Sequence, residues 1–192
     1  KAAPVDLAPP RNSIGYADKD GYFRIVERFG QIRFSNDFLI PLRFEFWTGR
    51  EGDDSVSPYG WDGWHCGPLE STIENYGGEK FLRATLLCAK HLYLEKDLTD
   101  PTVYRSVDRS WEGHEDGERI RVSRNDGWEL VFHKGVVESL RTDRGALIHW
   151  VRSESGRLLK IEEEGEAIPA LVVKWKGDDP NSGLVDKLIL PD

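Results

Sequence analysis

Three segments in the last third of the chain share one spacing: GVVESLRTD from Gly135, GRLLKIEEE from Gly156 and GLVDKLILP from Gly183. In each, an apolar residue stands two places after the glycine (Val137, Leu158, Val185), and another follows three places later (Leu140, Ile161, Leu188). Glycine adopts positive φ without steric cost, so it punctuates tight turns. Branched and aromatic runs between such turns suit the pleated surface of a sheet. The two intervals also hold further runs of that kind, ALIHWV and ALVVKW. A single strand pair cannot bury its apolar face alone, so successive pairs must join edge to edge. The pattern predicts an all-β chain built as a meander of antiparallel hairpins.

The same texture begins upstream. GYFRIVERFGQIRFS sets Tyr22, Arg24 and Val26 against Phe23, Ile25 and Glu27, then places Ile32 and Phe34 beyond Gly30. This alternation predicts two strands with a turn at Phe29–Gly30. FLIPLRFEFW alternates again, and Pro41, which has no N–H for a ladder, belongs at a strand start, bulge or edge. The Gly- and Pro-punctuated stretch 49–68 predicts a long loop. Residues 79–98, EKFLRATLLCAKHLYLEKDL, are rich in helix formers, with Leu82, Leu86, Ala89 and Tyr93 at spacings of three to four. A helix is expected there, with a strand pair as the rival. RIRVSR and WELVFH, which follow the polar EGHEDGE, alternate as strands. Residues 1–20, Pro- and Ala-rich at the start, read as an extended arm. The chain thus divides into that arm, a β-rich part over 21–125 and hairpins over 126–192.

The last segment is apolar at Leu184, Val185, Leu188, Ile189 and Leu190, so both of its faces carry hydrophobic residues. Such a strand is unfavourable on a free surface. It predicts self-association through its edge, pairing with further strands of a longer chain, or cover by residues 1–20 folding back. The absence of Met and a start at Lys1 read as a trimmed or excised piece.

Charge and length narrow the partners. Lys and Arg number 26 against 34 Asp and Glu, a net charge of −8, and no basic block stands out. Phosphate backbones are bound through clustered cations, so nucleic acid is not an expected partner. No apolar run approaches the length of a membrane-spanning helix.

Residues that could carry chemistry are few. Asp108, His114, Glu115, Asp116 and Glu118 have oxygen-rich side chains but lack calcium-loop spacing, and they read as a solvated loop, as do Glu51, Asp53 and Asp54. His65, Cys66, Cys88 and His91 could be taken for a zinc set. However, adjacent ligands such as His65 and Cys66 fit a tetrahedral ion poorly, so ordinary histidines and free core thiols are expected. A disulfide between Cys66 and Cys88 is the alternative. Glu162, Glu163 and Glu164 cannot hold two carboxylates across a glycosidic bond and read as a polar turn. No metal, cofactor or catalytic group is expected, and the chain is read as a non-enzyme. Tyr59, Trp61 and Trp64 are the best ligand candidates, because sugar rings stack on exposed aromatics; plugging the end of a sheet is the alternative.

SLRTDRGALIHWVRSESGRLLKI resembles the repeats of the Rhs, or YD-repeat, family. Gly156, Arg157, Leu158 and Ile161 match the Gly-Arg-Leu and Ile positions, while Arg152 and Ser153 stand where the Tyr-Asp pair would be. FSNDFLIPLRFEFWTGR followed by SPYGWDGW is similar to the segment that precedes such repeats, with Gly63 and Trp64 at its Gly-Trp turn. The likeness covers about residues 30 to 192. It implies a structural role: β-sheet wound into a hollow shell around a polypeptide cargo, often a toxin, in a secreted or cell-envelope setting. The positions it marks as structural are Gly135, Val137, Leu140, Gly156, Arg157, Leu158, Ile161, Gly183, Val185 and Leu188. A carbohydrate-binding module using Tyr59, Trp61 and Trp64 is the alternative from another class, and a hydrolase with acids gathered by the fold is a weaker one.

Overall fold

The computed structural model describes residues 4–5, 14–17, 23–47, 64–66, 71–78, 80–86, 90–176 and 185–191, with side chains over 30–42, 71–78, 80–85, 91–176 and 185–191. Their secondary structure is strand throughout, apart from one 3₁₀ turn at Ser35–Asp37. The first five strands are β1 (Pro4–Val5), β2 (Ile14–Ala17), β3 (Phe23–Arg33), β4 (Leu39–Trp47) and β5 (Trp64–Cys66). Next come β6 (Thr72–Tyr76), β7 (Phe81–Leu86), β8 (Lys90–Lys96), β9 (Val103–Arg105), β10 (Trp111–Asp116), β11 (Arg119–Arg124), β12 (Glu129–His133) and β13 (Val136–Arg141). The last four are β14 (Leu147–Arg152), β15 (Leu158–Glu163), β16 (Leu171–Trp175) and β17 (Val185–Ile189).

Two antiparallel sheets result. One runs β2-β3-β4-β5, and the other contains β6 to β17 in chain order with β1 added beside β17. Within the larger sheet, β6 to β13 close into an eight-stranded barrel, because β13 also pairs with β6 at Val136 and Thr72. Two backbone hydrogen bonds make this seam: Ile73 N–H to Gly135 O at 2.8 Å, and Val137 N–H to Ser71 O at 3.0 Å. Beyond Val136, the same edge of β13 turns to β14 through Ser139–His149, Leu140–Ile148 and Arg141–Leu147. One strand therefore belongs both to a closed barrel and to the open sheet β14–β17.

One continuous core joins all of this. It includes Ile73, Leu82, Leu94, Tyr104, Val122, Leu130, Phe132 and Val137 from the barrel strands. Ile148, Trp150, Ile161, Leu171, Val173 and Leu188 come from the open sheet, and Ile32, Ile40 and Leu42 from the smaller one. At Gly113 in β10 a Cβ would lie 3.1 Å from Leu94 Cδ1, so glycine makes room there for the side chains of β8 and β9. Eight strands leave an interior that side chains can fill, in keeping with this crowding.

The apolar residues spaced by three have a structural cause. A strand that alternates strictly would send residues three apart to opposite faces. Yet Val137 and Leu140, Leu158 and Ile161, and Val185 and Leu188 are all buried. In each pair the register slips by one residue. Glu138 is the extra residue between the partners of Phe132 and Val131. Leu159 is extra between those of Arg152 and Val151, and Asp186 between those of Trp175 and Lys174. An added residue of this kind is a β-bulge, and it returns both apolar side chains to one face. The spacing after Gly135, Gly156 and Gly183 thus marks three alternate strands bulged at the same point.

The turns before those strands are not alike. Lys134 and Gly135, at φ 51 and 80, form a two-residue turn with both residues left-handed, as type I′ geometry demands. Gly156, at φ 84, instead closes the four-residue turn that begins at Ser153, its N–H reaching Ser153 O at 2.9 Å. The same turn occurs at Arg124–Gly127 and Thr142–Gly145. Gly183 lies outside the described residues.

Several expectations are corrected. Residues 79–98 contain no helix in their described part; they form β7 and β8, paired from Phe81–Glu95 to Leu86–Lys90. Leu82 and Ala84 are buried two apart, and Tyr93, placed by helical spacing among the apolar set, is exposed. The turn expected at Phe29–Gly30 is a bulge inside the single strand β3, where Gly30 has φ 138 and the register slips between Arg28 and Gly30. The loop assigned to 49–68 contains β5, and its remaining residues lie outside those described. Within the arm at 1–20, two short strands form. The division at 125/126 falls inside the barrel, between β11 and β12. Pro41 is the third residue of β4; β5 reaches only Phe44, Glu45 and Phe46, so beside Pro41 the strand pairs on one side.

Candidate functional site

The open sheet beyond the barrel is clamped to the smaller one at its turn end. Glu163, the last residue of β15, is only 7% exposed and accepts hydrogen bonds from Ser35 N–H at 2.7 Å and from Ser35 Oγ. Arg144 Nη1 donates to Asn36 O at 2.8 Å from the next turn. Phe38 sets its ring edge-on to Trp128 at 5.3 Å, and the Arg124 guanidinium lies 5.3 Å from Trp128 and 5.2 Å from Trp111. The polar turn expected at Glu162–Glu164 therefore begins only at Glu164; Glu163 is a buried strand residue that ties the two sheets together.

At the far side of this sheet lies β17. Its inner edge pairs with β16 from Val185–Trp175 to Ile189–Val172. Its outer edge pairs with β1 at two positions only, Val5–Leu188 and Pro4–Ile189. The edge of the last strand is thus partly covered by the N-terminal arm folding back, the arrangement that the apolar content of the segment allowed. Asp186 and Lys187 stand exposed between buried Val185 and Leu188. Charged side chains on an edge discourage unwanted pairing.

A second surface lies on the outside of β6–β8. Tyr76 and Tyr93 are 46% and 44% exposed, large values for aromatic rings, and meet edge to face at 5.7 Å. Arg83 stands directly across from both Glu74 and Tyr93, with its guanidinium 4.9 Å from the Tyr76 ring centre. Its Nε donates to Glu74 Oε1 at 2.8 Å, and this bond is the main cause holding the guanidinium above its ordinary pKa. His91 Nδ1 sits 3.2 Å from Thr85 Oγ1. Reading 79–98 as a helix hid this surface, because the period-two exposure of His91, Tyr93 and Glu95 appears only in a strand.

The residues expected as a solvated loop fall largely in β10, and most acidic side chains over 97–118 are engaged locally. Asp108 accepts from Ser106 Oγ at 2.6 Å and from Ser110 N–H at 3.0 Å, which lowers its pKa to about 2. Asp97 is held far below the usual carboxylate range by the Thr99 hydroxyl and N–H and by the Asp100 N–H. Glu115 accepts from Tyr104 Oη at 3.1 Å, and His114 Nε2 lies 2.7 Å from Glu112 Oε1. Among the described residues no group of three or more His, Cys, Asp or Glu side chains is placed to hold a metal ion. Nor does any described helix have the length and apolarity to cross a membrane.

Of the aromatics singled out in the sequence, Tyr59 and Trp61 lie outside the described residues, and Trp64 opens β5 opposite Phe46. Cys66 closes β5, and Cys88 lies outside the described residues. Arg157 stands over the Trp175 ring at 5.2 Å, beside Leu158 O, which accepts from Trp175 Nε1 at 2.8 Å. No protein-family model matches the chain, and no curated protein matches it.

Proposed function

We propose that the chain is a structural β-sheet segment of an Rhs-like, YD-repeat-like protein, contributing wall to a shell around a polypeptide cargo. The observation that carries this reading is the shared edge of β13, which closes a barrel with β6 and also launches an open meander through β14. A closed barrel abolishes its own edges, whereas a meander can be extended indefinitely by further strands. One molecule that does both has the form of a starting plug from which a larger sheet grows. Further strands of a longer chain, or a second chain, would pair at the outer edge of β17. Among the described carboxylates, Asp97, Asp100 and Asp108 accept hydrogen bonds within turns, and Glu112 and Glu163 bind neighbouring strands or turns.

The test is protease protection. In the intact product of the reading frame that encodes this chain, a cargo region should resist digestion under native conditions and be cleaved after the sheet is unfolded. A cargo region digested as readily in the intact product as when expressed alone would sink the shell reading.

A second reading, carbohydrate binding, is favoured by one observation, the exposed Tyr76–Tyr93 pair beside Arg83 and Glu74. Arg83 and Glu74, the charges beside the two rings, are paired with each other, which suits an uncharged, hydroxyl-rich ligand. Affinity electrophoresis in neutral polysaccharide gels compares this chain with Tyr93→Ala; equal mobility of the two in every gel rejects the reading.

A further inference from the structure

We propose that Tyr76, Tyr93 and Glu74 form a corner that takes a single soluble chain of neutral pyranose sugars, with Glu74 Oε2 accepting a hydrogen bond from a ring hydroxyl. This rests on the carbohydrate reading of the outer face of β6–β8, and it names the ligand class and the residue that selects it.

One carboxylate oxygen of this surface is left open. Elsewhere on the barrel, Arg119 gives Nε to one oxygen of Glu138 and Nη2 to the other, and Arg124 divides the same two donors between the oxygens of Asp126. Such fork-to-fork contact occupies both oxygens of a carboxylate. Arg83 instead directs Nε and Nη2 to the same atom, Glu74 Oε1. Among the described residues, no donor reaches Glu74 Oε2. The Glu74 side chain is 52% exposed, so this acceptor is available to a ligand.

The rings beside it stand at an angle. Glu74 and Tyr93 flank Arg83 in one cross-strand row, and Tyr76 lies two residues from Glu74 on the same face of β6. Tyr76 and Tyr93 meet at an interplanar angle of 63°, with ring centres 5.7 Å apart. Two rings so inclined cannot both lie flat on the surface of a crystalline polysaccharide. They give one sugar a face to stack on and a wall beside it, which suits a chain free in solution.

Charge narrows the ligand further. The Arg83 guanidinium already lies 4.9 Å from the Tyr76 ring centre, where an external cation would otherwise be drawn. Glu74 and the exposed Glu95, which is one row away across from Phe81, disfavour an anion. A pyranose fits what is left. It is uncharged, its C–H groups form an apolar face for the rings, and the hydroxyls around its edge can donate to Oε2.

The probes are native gels containing laminarin, galactomannan, soluble starch or hydroxyethylcellulose, with cellulose and chitin powders as flat-surfaced comparators. The intact chain should be retarded in at least one gel and stay in the supernatant over both powders. Glu74→Gln keeps the size of the side chain and loses the open acceptor, so its Kd in the retarding gel should rise about tenfold. Glu95→Gln removes the same charge from the next row and should bind as the parent does. The Ile73 and Val137 amides at the barrel seam should stay protected from exchange in both variants. A further arm needs no variant: the O-methylated form of the retarding polysaccharide keeps its rings, lacks hydroxyl donors and should not retard the parent. Parent-like binding by Glu74→Gln, equal weakening by Glu95→Gln, or equal retardation by the methylated polysaccharide overturns the role of Oε2 and leaves the carbohydrate reading standing. Retention on a powder without retardation in any gel overturns the single-chain assignment. Neither retardation nor retention overturns the proposal together with the carbohydrate reading.

Discussion

Two glycines with the same backbone requirement and different surroundings separate the contribution of the barrel seam from that of a turn. Gly135 and Gly156 have φ values of 80 and 84, so alanine at either incurs the left-handed penalty of about 1 kcal/mol. Around Gly156 nothing lies within 4 Å of the added Cβ. At Gly135 the Cβ would stand 3.2 Å from Ile73 O, a backbone atom of β6 that cannot yield unless the strand moves. Such a movement strains the hydrogen bonds from Ile73 N–H and Val137 N–H that close the barrel, each worth about 1 kcal/mol. Gly156→Ala should therefore cost about 1 kcal/mol and Gly135→Ala about 2–3 kcal/mol. Urea unfolding monitored by tryptophan fluorescence supplies both values, and native-state hydrogen exchange locates the difference. Exchange at Ile73 and Val137 should accelerate in Gly135→Ala and remain at the parent rate in Gly156→Ala. Equal unfolding midpoints for the two variants would refute the claim that the close approach to β6 makes Gly135 special.

Glu163→Ala removes a buried acceptor from the Ser35 N–H and hydroxyl, and should cost about 2–3 kcal/mol, since bonds to charged groups are the stronger kind. Differential exchange should show Ile32 and Ile40 of the smaller sheet losing protection before the barrel strands; uniform loss across both sheets would count against a local clamp. Asp108 has a folded pKa of about 2, below its ordinary value of 3.8, so its contribution is present above 3.8 and disappears as pH falls through about 2. Asp97, Asp100 and Asp126, each also lowered from 3.8, act in the same direction. Urea midpoints should hold steady down to about pH 4 and then drop, with a shallower drop in Asp108→Asn; parallel curves for parent and variant would exclude Asp108 from the acid response.

The strands were legible wherever a run alternated and ended at glycine, as in RIRVSR, WELVFH, ALIHWV and ALVVKW. The three-residue apolar spacing after Gly135 and Gly156 was also visible, but its cause was not. A bulge is defined by a partner strand, and a single run of residues does not display its partner. The same limit explains Gly30, where a bulge and a turn ask for the same residue. The error over 79–98 has a different origin. Leu, Ala and Lys favour helix by only tenths of a kcal/mol each, and cross-strand pairing of Leu82 with Leu94 and Asn75 outweighs that preference. Of the sites, the outward tyrosines were missed with that helix, and Glu163 was hidden because Ser35, its partner, lies far away in sequence.

The strand order has a consequence for how the molecule folds. Every pairing in the two sheets joins strands that follow one another along the chain, except β6 with β13 and β1 with β17. Loop-closure entropy is lowest for neighbours, so each hairpin can dock on its predecessor soon after it forms, and a chain leaving the ribosome can assemble strand by strand from β6 onward. The barrel seam cannot form until Val136 and Val137 have been made. Until then the edge of β6 stays open, and the nascent sheet has two growing or unpaired sides rather than one. Closure at Thr72 is therefore a slow, non-local event, as is the later pairing of β1 with β17, and it leaves β14 as the first strand that adds to a sheet with one edge already sealed.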